Sequence, residues 1–294
     1  LLKTNYFSAP VIVVGNITVG GTGKTPVVIA LARFLKEKGW RPGIVSRGYG
    51  GKIKHFPYQV HQNSNAREVG DEPLLIVRHT DCPTVIDPNR SRGVRALLKR
   101  AHCNLVISDD GLQHSSLGRN IEIIVVDGER RFGNNFCLPA GPLREPTSRL
   151  NSVDFVISKE NPLRHEFKLS LIPDHFYQLI QPKIKKTLDY FHGKTLHAVA
   201  GIGNPDQFFN SLRKLNLKII EHPFPDHYLF KPHDFSYGSD AIIIMTEKDA
   251  VKCVGFVDAR LWCLNTKTEL DTNLLNTVLK RVTTLNNNLK SSSG

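Results

Sequence analysis

The chain has 294 residues, 40% of them hydrophobic, and a formal net charge of +12. It is long enough for one large or two medium domains with real cores, and its composition is that of an ordinary soluble protein. No run approaches the ~20 apolar residues of a spanning helix and no signal peptide is visible, while the basic balance calls for an anionic partner: nucleotide, phosphorylated substrate, nucleic acid or anionic membrane.

Val11 to Val14 are β-branched and apolar without alternation, which is how a strand buried on both faces reads. A glycine loop and a helix start follow, through Pro26. Gly20, Gly21, Thr22 and Gly23 form the turn, whose backbone N–H groups can face an anion. Lys24 would reach the β- and γ-phosphates, and the Thr25 hydroxyl would bind Mg²⁺. Pro26 sits in the first helical turn, where a missing N–H costs nothing. The helix runs through Val27, Val28, Leu31, Phe34 and Leu35 to a stop at Gly39, and a phosphate in the loop would feel its positive end. The usual motif has Gly at the position of Thr18. A variant family of partitioning and metal-transport ATPases has Lys at the position of Val19, so Val19 counts against that family.

Gly43 to Ser46 form a second strand, followed by a glycine-rich basic loop, Ser46 to Lys52. The polar stretch Gln59 to Arg67 is expected to be exposed. Asp71 and Glu72 open a helix, as acidic residues favour a first turn. Thr84 to Ile86 form a strand, Asn89 caps a helix running to about Arg100, and further strands occupy Leu105 to Ile107, Ile121 to Val126 and Phe155 to Ile157. This alternation predicts an α/β fold: a P-loop NTPase-like, mostly parallel sheet with helices on both faces. From Phe167 to Ile180 the pattern is extended and irregular, and a linker is expected around Gln181 to Lys186. A second, smaller α/β unit follows. Its strands are Leu196 to Ala200, Leu217 to Ile220, Ala241 to Met245 and Leu261 to Leu264, with helices at Asp206 to Leu215 and Leu270 to Leu285. The expected domains are 1–182, binding nucleotide and substrate, and 183–294, closing over the active-site cleft. The polar end after Asn286 is expected to be frayed or appended.

Asp109 and Asp110 follow an apolar strand at the sheet's carboxyl edge, where α/β ligands bind, as a Mg²⁺-holding carboxylate should. Asp87 and Asp127 also end strands. Gly70-Asp-Glu-Pro73 reads equally as helix-start electrostatics or as a functional element. Gly141-Pro-Leu-Arg-Glu-Pro146 offers a cation and a carboxylate on a rigid loop; the bland reading is a solvated ion pair. Asp226 and His227 lie in a loop of the second unit, and Thr246 to Asp249 follow a strand as a helix cap would. None of the five cysteines lies in a Cys-x-x-Cys and none of the twelve histidines in a His-Glu-x-x-His. A disulfide framework, a zinc site and a zinc hydrolase are therefore not expected, and a reducing compartment fits.

Taken together, seven segments resemble the tetraacyldisaccharide 4′-kinase family of lipid A biosynthesis. They are Gly15-Asn-Ile-Thr-Val-Gly-Gly-Thr-Gly-Lys-Thr-Pro26, Ser46-Arg-Gly-Tyr-Gly50, Val69-Gly-Asp-Glu-Pro73, Asp109-Asp-Gly-Leu-Gln-His114, Leu138-Pro-Ala-Gly-Pro-Leu-Arg-Glu-Pro146, Phe224-Pro-Asp-His227 and Met245-Thr-Glu-Lys-Asp249. The resemblance implies ATP-dependent phosphorylation of the 4′-hydroxyl of a tetraacylated glucosamine disaccharide 1-phosphate, with the site in a cleft between two α/β domains. By position it implies that Lys24 steadies the β/γ-phosphates and that Thr25, Asp109, Asp110 and Glu145 form the Mg²⁺ shell. Asp71 would accept the hydroxyl proton, assisted by His227, and Arg144 would neutralise the transferring phosphoryl group. The loop after Ser46 would face the lipid. It further implies a monomer, peripheral on the cytoplasmic face of the bacterial inner membrane, held to an anionic surface and binding no nucleic acid. Family members begin with a hydrophobic, basic helix, and this chain starts just after the point where that helix would end.

Two other readings share some of these features. A switch ATPase or GTPase acting through a protein partner would share the phosphate loop and Asp109, but Thr246 to Asp249 only superficially approach a guanine-recognition motif. A nucleic-acid module is suggested by charge alone, without an aromatic RNA-binding signature or a clustered basic helix.

Overall fold

The structure, a computed structural model, describes residues 4–291. Leu1 at the chain start and the last three residues of the Ser-Ser-Ser-Gly end lie outside the described residues. In chain order the first elements are β1 (Val11–Gly15), α1 (Lys24–Glu37), β2 (Pro42–Ser46), β3 (Tyr58–Val60), α2 (Ala66–Val69), α3 (Asp71–Thr80), β4 (Thr84–Ile86) and α4 (Arg90–Arg100). Then come β5 (Leu105–Asp109), β6 (Ile121–Asp127), β7 (Phe155–Lys159), β8 (Phe167–Gln178), β9 (Lys185–Lys186) and β10 (Thr195–Ala200). The chain closes with α5 (Pro205–Lys214), β11 (Lys218–Pro223), β12 (Ile242–Met245), α6 (Glu247–Ala250), β13 (Leu261–Leu270) and α7 (Thr272–Ser291).

All strands join one 13-stranded sheet in the order β11-β10-β12-β13-β8-β7-β6-β1-β5-β2-β4-β3, with β9 paired to β8 beside that path. From β8 to β4 every neighbouring pair is parallel, as is every pair from β11 to β13. The two parallel blocks meet through the antiparallel β8–β13 ribbon. The mostly parallel α/β sheet expected from the alternation is therefore present, and its apolar strands without alternation are buried on both faces. Ile12 and Val14 of β1 pack with Val27, Val28, Leu31 and Leu35 of α1, whereas Val11 and Val13 face Val94 and Leu97 of α4. In the C-terminal block, Leu196, Ala198 and Ala200 lie under Phe208, Phe209 and Leu212 of α5.

The chain does not end in its own block. Leu274, Val278 and Val282 of α7 recur at helical spacing and are fully buried against the α1 side of the first block. Each such side chain contributes ~1.5–3 kcal/mol of transfer free energy. α7 also runs through Ser291, so the segment after Asn286 read as frayed is helical as far as it is described.

Three further readings change. The irregular stretch from Phe167 is a single strand as far as Gln178, paired residue for residue with β13 apart from a shift at Asn265/Thr266. Pro173 and Asp174 hid it, since neither favours a strand. Its partner correspondingly extends past Leu264 to Leu270. The polar stretch near Gln59 carries a short antiparallel edge strand on β4, then an Asn65 side chain capping α2.

Candidate active site

The parallel strands of the first block deliver Gly15, Ser46, Ile86, Asp109, Asp127 and Lys159 at their carboxyl ends. The glycine loop lies there because Gly23 adopts φ 95°, a left-handed conformation that favours glycine, and starts α1. A Cβ at Gly23 would also come within 3.1 Å of Leu169 Cδ2. Thr18 needs no glycine backbone, because it bridges to Leu143 as a strand would, and Val19 N donates to Pro142 O at 2.9 Å. Arg144 N donates to Ile17 O at 2.7 Å. These bonds dock the Pro142–Pro146 loop onto the phosphate loop.

Lys24 Nζ donates to Asn16 Oδ1 at 3.1 Å and lies 3.6 Å from Asp110 Oδ1. Arg144 Nη1 reaches both Asp110 oxygens at 3.2 Å. Burial pushes the Asp110 carboxyl up, but the Lys24 and Arg144 charges outweigh it and hold it below the usual carboxylate range. Asp109 is buried, accepts from Ser46 Oγ at 3.0 Å through Oδ2, and has no hydrogen-bond partner for Oδ1. Burial, with the charges of Glu72 and Asp110, pushes its carboxyl up to about 7. Glu145 accepts from Gln113 Nε2 at 2.6 Å and from Arg149 Nε at 3.2 Å, so it stands one residue away from Lys24's partners rather than against Lys24 itself. Gly20 and Gly21 face Arg130, whose Nη2 donates to Gly21 O at 2.9 Å. The Thr22 hydroxyl is buried without a partner, and Thr25 is buried beside it.

These groups fit a divalent cation. Among the described residues no three His, Cys, Asp or Glu side chains close into a metal site by themselves. A buried carboxylate with an open oxygen next to a second carboxylate is, however, what Mg²⁺ uses when nucleotide phosphates and water complete its octahedron.

A second cluster joins the two blocks. Asp71 opens α3 after Gly70, with its carboxylate buried and Oδ1 accepting from Glu72 N at 2.9 Å. His227 Nδ1 lies 3.0 Å from Asp71 Oδ2 and 3.2 Å from Oδ1. The His227 ring stacks at a tilt on Tyr49, 5.1 Å between centroids. Burial alone would push Asp71 up; the His227 hydrogen bond and the charges of Lys248, His227 and Lys252 hold it below its ordinary value. That same hydrogen bond raises the His227 imidazole above its ordinary value against burial and the Lys248 charge. Next to Tyr49, a pocket of about 240 Å³ is lined by Arg47, Gly48, Phe56, Glu68 and Ile86 among others. The Gly201–Pro205 turn completes the cleft: a Cβ on Gly203 would come within 3.1 Å of Gly21 N.

The residues singled out as the site thus fall in two clusters, one at the carboxyl edge of the first block and one where His227 of the second block meets α3. Several partners escaped the sequence reading. Asn16 holds Lys24, and Ser46 holds Asp109. The fully buried Arg90 donates to Asp87 O at 2.8 Å and to Asp109 O at 3.4 Å, binding two strand ends together. Burial lowers it to about 10 despite those neighbouring carboxylates. Lys248 was hidden inside a segment whose Thr246 does cap α6, accepting from Asp249 N at 3.1 Å. A single polar residue at a strand end, in a loop or in a helix's first turn carries no periodic signal, so only three-dimensional proximity marks these positions.

The family profile described as tetraacyldisaccharide-1-P 4′-kinase, LpxK, matches residues 1–284. A tetraacyldisaccharide 4′-kinase of Coxiella burnetii (strain RSA 331 / Henzerling II) is 51% identical over 265 residues, covering 90% of this chain and 78% of the relative. One from Methylobacillus flagellatus is 48% identical over 287 residues, 97% of this chain and 85% of the relative. One from Legionella pneumophila (strain Lens) is 50% identical over 266 residues, 90% and 81%. Among solved structures, the "apo" form of LpxK from Aquifex aeolicus in complex with ATP superposes with a TM-score of 0.78 at 29% identity, covering 96% of this chain and 91% of that one.

Proposed function

The chain belongs to the tetraacyldisaccharide 4′-kinase family, and on that premise we propose how its residues carry out the family's reaction. The reaction is transfer of the γ-phosphoryl group of ATP, with Mg²⁺, to the 4′-hydroxyl of a tetraacylated glucosamine disaccharide 1-phosphate. A switch ATPase or GTPase is not favoured by these relatives.

Phosphoryl transfer asks mainly for positioning and charge neutralisation. Gly20, Gly21, Thr22 and Gly23 cradle the phosphates with backbone N–H groups, and Lys24, held by Asn16, steadies the β/γ oxygens. Thr25, Asp109, Asp110 and Glu145 would hold the cation. Mg²⁺ held there would supply neutralisation of the charge that develops on the transferring phosphoryl group. Arg144, which shares Asp110 with Lys24, neutralises the transferring group. Asp71 accepts the hydroxyl proton, assisted by His227, its hydrogen-bond partner across the cleft. The Asp71–His227 contact across the two blocks carries this reading. A buried carboxylate paired with an imidazole beside the Tyr49 loop and its pocket supports Asp71 as the proton acceptor.

The division of labour is then that residues 1–182, with α7 packed on them, bind nucleotide and acceptor, and the rest of 183–294 closes over the cleft through Gly203, His227 and Lys248. Closure of this kind excludes water and limits wasted hydrolysis. The protein acts as a monomer at an anionic, cytoplasmic membrane face. The +12 charge supports that surface, each exposed cation near it contributing ~1 kcal/mol. Among the described residues no helix is long and apolar enough to cross a membrane.

Incubation with ATP, Mg²⁺ and a tetraacyl disaccharide 1-phosphate, read by mass spectrometry, tests the reaction. Gain of one phosphate on the non-reducing sugar is expected. ATP consumption with an unmodified lipid would overturn it.

A further inference from the structure

Lys248 projects from α6 into the junction between α3 and the 225–228 turn. Its Nζ lies 3.3 Å from Glu72 Oε1, 3.3 Å from Asp226 Oδ1 and 4.0 Å from Asp71 Oδ2. Its side chain is only 20% exposed. Three carboxylates from the two blocks therefore converge on one ammonium, a compact charge with three donors that can serve several acceptors at once. We propose that Lys248 is a positioning residue for the proton-accepting pair, tying α3 to the 225–228 turn and so fixing His227 against Asp71. The proposal rests on the reading of that pair as the proton acceptor.

The geometry makes two demands that Lys248 meets. Asp71, Glu72 and Asp226 would repel one another across the junction without a cation between them, and the turn bearing His227 would be pushed from α3. The ammonium must also be held rigidly. Asp249, in the same short helix, is ion-paired to Lys252 at 2.6 Å, accepts from Thr246 Oγ1 at 2.7 Å and accepts from Gly201 N at 3.0 Å. Lys252 Nζ donates in turn to Gly201 O at 3.2 Å. The Thr246–Lys252 segment thereby anchors both the Lys248 clamp and the turn that brings Gly203 to the phosphate loop. Burial would strip the Lys248 proton, but the three carboxylates outweigh it and raise the ammonium above its ordinary value, so it stays charged through the working pH range.

The groups facing the pair are Glu72 on α3, Asp226 on the turn, Lys248 and Glu247 on α6, Lys252 just beyond it, and Tyr49 from the loop after Ser46. Glu247 is engaged elsewhere, with His79 at 3.1 Å. Lys248 is thus the cation nearest the imidazole, and it disfavours the protonated ring. Its removal raises the pH at which Asp71 loses its proton, because the carboxylate loses both the ammonium and the firmly held His227 hydrogen bond.

The test is the pH dependence of kcat, with KM for ATP, in Lys248→Met, Lys248→Arg and, as a reference, His227→Ala. In Lys248→Met the acid limb of kcat moves up by about one pH unit and kcat near neutrality falls tenfold or more. KM for ATP stays within about twofold, and Lys248→Arg keeps the limb near its native position. A fall in kcat uniform across pH, or the same shift in Arg as in Met, would overturn the proposal. If Lys248→Met does not fold, Glu72→Gln decides instead. It removes one competing carboxylate and shifts the limb downwards, and an unmoved limb counts against the proposal. An unaltered limb in His227→Ala would instead remove the proton-acceptor reading itself, so the two failures are told apart.

Discussion

The Asp71 carboxylate and the His227 imidazole, 156 residues apart in the chain, meet at 3.0 Å across the junction of the two parallel blocks. Neither residue is informative alone: one opens a helix, the other sits in a turn. If they act as one unit, losing either disables the same proton transfer. Asp71→Ala and His227→Ala should each lower kcat by two orders of magnitude or more (about 3 kcal/mol) with little change in KM for ATP, and the double variant should be little worse than the poorer single. Steady-state kinetics of the three proteins checks this; losses that multiply would show two independent roles.

Lys24 bonds Asn16 and lies within 4 Å of Asp110, so its ammonium is held in place before any phosphate arrives. Lys24→Ala should cost about three orders of magnitude in kcat/KM (~4 kcal/mol) while the protein stays folded, because Lys24 opens α1 outside the apolar core. Near-native turnover in the folded variant would refute its role.

The open oxygen of Asp109 points to the metal. Asp109→Asn should raise the Mg²⁺ concentration needed for half-maximal activity by tenfold or more while lipid binding persists, and Asp110→Ala and Glu145→Ala should do so in the same direction. Titration of activity with Mg²⁺ at saturating ATP measures it; identical metal curves for all three variants would exclude them from the cation's shell.

Much of the nucleotide side was legible in the sequence because its signals are local. Val11 to Val14 announce a buried strand, and the glycines and Lys24-Thr25 follow within one turn. The β8–β13 ribbon was not legible, since pairing over some ninety residues leaves no local trace and Pro173 argues against a strand. The same holds for the cross-block cluster. That Lys248 meets Glu72 and Asp226 follows from how the second block packs on α3, and no spacing in the chain encodes that distance. Resemblance reached Asp71 and His227 because their segments are distinctive, but it gave no role to Glu72, Asp226 or Lys248, which lie in the same matching segments.

The basic surface predicts weak, salt-sensitive attachment to anionic bilayers. Co-sedimentation with vesicles containing an anionic phospholipid should exceed that with neutral vesicles at low salt and fade as the Debye length shrinks to ~3 Å near 1 M. Binding indifferent to lipid charge and to salt would point to an apolar mode instead.

The Asp71–His227 contact also predicts how stability depends on pH. Asp71 titrates below its ordinary 3.8 in the folded protein, so its share of the stability is present above that pH and is lost as pH falls through the folded value. His227 titrates above its ordinary 6.5, so its share is full below 6.5 and is lost as pH rises through the folded value. Both shares are complete only between about 4 and 6.5, the ordinary values of the two groups. A hydrogen bond between charged partners contributes ~1.5–3 kcal/mol, and the Lys248 ammonium, which stays near Asp71 when His227 is gone, reduces what the substitution removes. His227→Ala should therefore lower the unfolding free energy by about 1–2 kcal/mol near pH 5.5 and by progressively less as pH rises through the raised value of the native imidazole. Urea unfolding of both proteins at a series of pH values measures the difference. A stability gap that widens as pH rises from 6 to 9 has the wrong sign for a raised imidazole and would mean that His227 enters the contact as a neutral ring.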